Sequence, residues 1–155
     1  MYQKVVVPLD GSELAECVLP HVETIARGCG VREVFFVRVA EPVRVPIAAG
    51  EFAFSAEELK KMELQNLALA SDYLDNLVKR MKYDNVKVQS EVLSGRVAEA
   101  IADYASKKGA DVIVIATHGR SGVSRWAWGS VADRILRSSC VPVLMVRATG
   151  CVPGI

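Results

Sequence analysis

The chain has 155 residues, enough for one domain with a full core. Its residues are 51% hydrophobic and 24% charged, a globular balance that excludes intrinsic disorder. A formal net charge of +1 excludes a chain-wide electrostatic case for nucleic acid or an acidic membrane surface, and apolar runs of only a few residues exclude a membrane-spanning helix.

The first residues enter a strand pattern directly, without the basic and apolar regions of a signal peptide, so a cytoplasmic location is expected. Cys17, Cys29, Cys140 and Cys151 form no CxxC pair and have no histidine at zinc spacing. In a reducing compartment they are expected to be buried or incidental thiols.

Lys4-Val5-Val6-Val7-Pro8-Leu9-Asp10 is a short apolar run closed by turn residues, which predicts a buried strand. Ser12 to about Arg27 then places Leu14, Cys17, Val18, Val22 and Ile25 on one helical face. Pro20 lies inside that pattern and predicts a kink. Val34 to Val39 is a second strand. Residues 40–54, with Pro42, Pro46 and Gly50, form a loop whose Phe52 or Phe54 is a candidate lid contact. Ser55-x-x-Glu58 matches a capping box and opens a long helix with its stripe at Leu59, Met62, Leu67, Ala70, Leu74, Leu77 and Met81.

Val86 to Val92 alternates apolar and polar residues, as a strand with one less buried face does. Gly95 to Lys108 reads as a helix with Val97, Ile101, Tyr104 and Ala105 inward, ended by Gly109. A strand over 111–116, a glycine-containing loop, a helix from 130 to about 139 and a last strand over 142–147 complete the order β-α-β-α-β-α-β-α-β. Strands that are nearly continuous in apolar residues, alternating with helices, predict one α/β domain with a parallel sheet between helical layers.

In such sheets ligands lie beyond the carboxyl ends of the strands, where the strand order reverses. Two segments follow strand ends and carry suitable residues: Pro8-Leu9-Asp10-Gly11-Ser12, and 117–130. If their strands are neighbours, the two face each other across a crevice. Ala116-Thr117-His118-Gly119, followed by Gly129-Ser130, joins a strand, a glycine loop and a helix start, the parts of a phosphate site. Ser130-x-x-Asp133 also reads as a capping box, and cap and anion site are compatible.

Gly129, Ser130 and Val131 can offer backbone N–H groups, and Ser130 its hydroxyl. Arg120 and Arg125 can meet phosphate oxygens or remain solvated. His118 can touch ribose or phosphate, or fill a turn. Asp10 can accept a ribose hydroxyl, hold phosphate-bound Mg²⁺, or cap the next helix. Trp126 and Trp128 suit packing or an interface better than base stacking. No GxxxxGK[ST], GxGxxG, G-x-S-x-G or HExxH pattern is present, and nothing pairs a nucleophile with a base.

The opening Val5-Val6-Val7-Pro8-Leu9-Asp10-Gly11-Ser12, the Ala110–Val114 strand, the glycine loop and the closing Val141–Val146 together resemble the universal stress protein family. Its nucleotide-binding branch carries G-x2-G-x9-G-[ST], which here becomes Ala116-x2-Gly119-x9-Gly129-Ser130, with intact spacing and Ala116 in the first glycine's place. The resemblance implies a Rossmann-like sheet of strand order 3-2-1-4-5. It implies Pro8, Asp10 and Val39 around adenine and ribose, and Gly119, Gly129, Ser130 and Val131 around the phosphates of ATP or another adenine nucleotide with Mg²⁺; Leu9, Ala116, His118 and Arg120 complete the candidate site. It further implies a homodimer through the last strand, 142–147, within a domain spanning 1–148 and followed by a tail, 149–155. The expected function is a nucleotide-binding sensor or regulator with an unidentified protein partner. The alternatives are a nucleotide-free, partner-binding dimer, motivated by Ala116, and a slow ATPase.

Overall fold

The computed structural model describes residues 2–42, 54–117 and 129–147. Its elements in chain order are β1 (Lys4–Pro8), α1 (Glu13–Glu16), α2 (Leu19–Gly28), β2 (Glu33–Ala40), α3 (Ala56–Arg80), β3 (Lys87–Ser94), α4 (Val97–Lys108), β4 (Val112–Ala116), α5 (Ser130–Ser138) and β5 (Val143–Val146). The strands form one five-stranded sheet in the order β3-β2-β1-β4-β5, and every neighbouring pair is parallel. This is the order expected from the resemblance.

Alternation along the central strands sends successive side chains to opposite faces. Val5, Val7, Val34, Phe36, Val112 and Val114 pack with Val18 and Val22 of the first helical segment and with Leu74 and Leu77 of α3. Val6, Phe35, Val37, Ile113 and Ile115 pack on the other face with Ile101, Tyr104 and Ala105 of α4 and Ala132 and Ile135 of α5. Both faces of β1 and β4 are thus covered, which is why their sequences are apolar without a break. Edge strand β3 has no fully buried residue, in keeping with its alternating sequence.

The predicted single helix over 12–27 is instead two. α1 ends at Glu16, and Pro20 falls in the first turn of α2, where a missing N–H breaks no helical bond. The proline begins a helix where a kink was expected. The expected capping box of α3 is present: Ser55 Oγ accepts from the Glu58 N–H at 3.2 Å, and Glu58 Oε2 accepts from the Ser55 N–H at 2.7 Å. Its predicted stripe holds only in the second half. Ala70, Leu74 and Leu77 are buried, whereas Met62 and Leu67 remain 37% and 39% exposed because the helix begins beyond the end of the sheet. β1 closes at Pro8, two residues short of Asp10. Cys17 and Cys29 are half-buried and Cys140 is exposed.

Candidate functional site

β1 and β4 lie side by side. The chain leaves β1 toward α1 and α2 on one face and leaves β4 toward α5 on the other. The described ends of the two following segments, 8–10 and Thr117 with Gly129 and Ser130, therefore meet at the reversal of strand order. They border a cavity of about 440 Å³, within the range of small-molecule sites. Pro8, Leu9, Asp10, Val39, Ala116, Gly129, Ser130 and Val131 all line it. His118, Gly119, Arg120, Arg125, Trp126 and Trp128 lie outside the described residues, as does Phe52. Phe54 is 49% exposed and is not part of the wall.

The α5 end of the cavity differs in detail from the expectation. Gly129, not Ser130, is the N-cap, and no side chain caps the helix, so the predicted Ser130–Asp133 capping box does not form. Asp133 is instead bonded one turn on to Arg137, at 3.0 Å. The Gly129 N–H is already engaged, donating to the Thr117 carbonyl at 2.6 Å. The first helical main-chain bond runs from the Asp133 N–H to the Gly129 carbonyl. The N–H groups of Ser130, Val131 and Ala132 consequently have no main-chain partner among the described residues, and they sit at the positive end of the helix dipole. Anion-binding capacity is thus displaced by one residue along the chain, to 130–132.

Across the cavity, Asp10 takes part in the turn that starts α1. Its Oδ1 accepts from the Ser12 N–H at 2.9 Å and from the Ser12 hydroxyl at 2.6 Å, while Ser12 Oγ caps α1 by accepting from the Ala15 N–H at 3.1 Å. Asp10 therefore supports the cap and borders the cavity at once, so the two roles do not compete. Ala116 belongs to the core cluster on the α1–α3 face and is 8% exposed.

β1 stops earlier than β2. Pro8 is level with Val37, and the Leu9 N–H donates to the Val37 carbonyl at 2.9 Å. Main-chain groups in a strand alternate sides, so the next pair facing β1's side belongs to Val39, beyond the end of β1 and on the cavity wall. Arg38 also borders the cavity, and its guanidinium carbon lies 5.4 Å from the centroid of the Tyr73 ring. The Tyr73 hydroxyl donates to Glu16 Oε1 at 2.9 Å, and Arg80 holds Glu16 Oε2 at 2.7 Å. Burial, followed by donation to Glu16, pushes the Tyr73 phenol above its ordinary range, so it stays a neutral donor at physiological pH.

Sequence reasoning missed Arg38, Asn66 and Leu69, all of which line the cavity. A lone charge in Phe35-Phe36-Val37-Arg38-Val39, near a strand's carboxyl end, was the available signal for Arg38. Asn66 gave none, because a polar residue on a long helix reads as its solvent face.

The architecture and the cleft define an open, parallel α/β domain with a ligand-sized cavity at its switch point. The model of the universal stress protein family matches residues 1–147, and the chain belongs to that family. It is 34% identical over 150 residues to universal stress protein MJ0531 of Methanocaldococcus jannaschii, covering 95% of this chain and 83% of the relative. The solved structure of MJ0577 from the same organism superposes with a TM-score of 0.82 at 26% identity, covering 97% of this chain and 99% of that one. A universal stress protein family protein from Arabidopsis thaliana with AMP bound shares the fold, with a TM-score of 0.64 at 15% identity and 96% and 93% coverage.

Proposed function

We propose that the chain binds an adenine nucleotide, ATP or a smaller adenylate, and acts as a cytoplasmic, homodimeric stress sensor or regulator whose surface changes with nucleotide state. One observation carries this: a single cavity at the switch point runs from the donor-rich start of α5 to the main chain of Val39. An end that attracts anions and an end that offers main-chain hydrogen bonds, within one cavity, match phosphate and base. The AMP held by the Arabidopsis family member supports the same choice of ligand.

In this reading Ser130 and Val131 hold phosphate with Gly119, His118 and Arg120, while Asp10, Pro8, Leu9 and Val39 frame ribose and base. No group of three or more metal-ligating side chains occurs among the described residues. The Asp10 carboxylate at the cavity still fits Mg²⁺, which takes one or two carboxylates together with phosphate oxygens and retains several waters. Such an ion would neutralise phosphate charge, with Asp10 as its protein-side group. The dimer would form through 142–147, where Leu144 of edge strand β5 is 40% exposed.

The test is identification of nucleotide released from the denatured protein, together with melting in ATP, ADP, AMP and GTP with Mg²⁺. A ligand at 100 times its dissociation constant stabilises by about 2.7 kcal/mol, and the melting temperature should rise with adenine nucleotides only. Gly129→Val, which fills the cavity beside α5, should abolish the rise. No released nucleotide and no rise would refute the reading and favour the nucleotide-free dimer.

A further inference from the structure

The α3 wall of the cavity is made by Asn66, Leu69 and Ala70. These residues are spaced i, i+3 and i+4, so they share one face of the helix. Ala70 is 1% exposed, so that row turns inward at its level, and Asn66 stands one turn earlier on the same row, where the helix is still exposed. Leu69 is 63% exposed at the rim and offers an apolar surface beside the cavity.

Strands β4, β1 and β2 are consecutive in the sheet, and strands are spaced about 4.8 Å apart. Val39 on β2 therefore stands about 10 Å across the sheet from β4, the strand that precedes α5. The polar side chains lining the cavity divide by chemistry. Asp10 and Glu41 carry carboxylates that only accept, Arg38 only donates, and Thr117 and Ser130 carry hydroxyls at the α5 end. Asn66 alone among the described lining residues sets a donor and an acceptor side by side.

We infer that Asn66 is a specificity-determining residue that reads the base. This rests on the proposed nucleotide function. Its amide NH₂ donates to adenine N7 and its amide oxygen accepts from the N6 amino group, while Leu69 covers the ring and Val39's main chain is left to the opposite edge. Guanine presents acceptors at both O6 and N7 and would set the amide oxygen against O6.

The experiment is calorimetric titration of the full chain and of Asn66→Ala with ATP, 7-deaza-ATP and GTP. For wild type, replacing N7 should weaken binding. Asn66→Ala should weaken ATP about tenfold, the scale of one bidentate base contact, yet change 7-deaza-ATP much less and narrow the preference over GTP. Equal losses for ATP and 7-deaza-ATP in the variant, or no loss for ATP, would overturn the assignment while leaving the nucleotide function standing. Absence of binding by wild type to all three would overturn that function and this inference with it. The position lies on an exposed part of α3, and an unchanged melting temperature in Asn66→Ala separates lost recognition from lost fold.

Discussion

Gly11, in the turn between β1 and α1, has φ +86°. A Cβ there would meet Arg38 Nη1 at 2.9 Å and Cζ at 3.2 Å. Gly11→Ala therefore acts twice. Left-handed backbone costs a non-glycine residue about 1–2 kcal/mol. The guanidinium is the flexible end of its side chain and will swing away, so the steric part costs what Arg38 loses on leaving the Tyr73 ring, about 0.5–1 kcal/mol. The expected destabilisation is their sum, about 1.5–3 kcal/mol, or about 3–12 °C in melting temperature for a domain of this size. Urea unfolding of Gly11→Ala, Arg38→Ala and the double variant checks the division. The double should be more stable than additivity predicts by about 0.5–1 kcal/mol, because the ring contact is lost only once. A Gly11→Ala cost below about 0.5 kcal/mol, or strict additivity, would refute the argument.

The two halves of α3 should respond differently to truncation. Leu74→Ala, at a site 1% exposed, should cost about 2–5 kcal/mol in chemical unfolding, whereas Leu64→Ala, 58% exposed, should stay within about 0.5 kcal/mol. Asp111 Oδ2 accepts from the N–H groups of Gln3 at 2.8 Å and Lys4 at 2.9 Å, and these bonds, that from Lys4 first, hold its carboxyl below the ordinary value of 3.8. A depressed folded value means stability that is present above 3.8 and lost as pH falls through the folded value. Asp111→Ala should therefore cost about 1–2 kcal/mol at neutral pH, the low end for charged hydrogen bonds near a surface. Thermal melts across the acid range should show the gap to wild type closing there; a constant gap would mean that the charge plays no part.

Elements whose surroundings repeat in the sequence were legible from it. Continuous runs such as Val112–Ile115 specify central parallel strands, and Ser55 with Glu58 specifies a helix start through local bonds. Pro20 misled because one apolar stripe spans two helices that share a face, so periodicity did not register the break between them. Strand order followed from the family resemblance rather than from any pattern, since pairing is a long-range choice. At the site, Asp10 and the start of α5 were found because they follow strand ends, and Val39 came from the family resemblance. Asn66 and Leu69 are brought there by the length and direction of α3, which no local signal encodes. Gly129's loss as a donor depends on Thr117, across a segment whose course cannot be deduced from residue types.

The bond from Gly129 to the Thr117 carbonyl has a consequence for how the domain tolerates change. Thr117 is itself tied down, its N–H donating to the Val146 carbonyl at 2.8 Å, so the last residue before the segment 118–128 and the first after it are fastened to each other and to the sheet edge. The two fastened residues form a fixed base at the edge of the sheet. The sheet therefore sets where α5 begins, so a change of sequence between the two residues need not move the helix start.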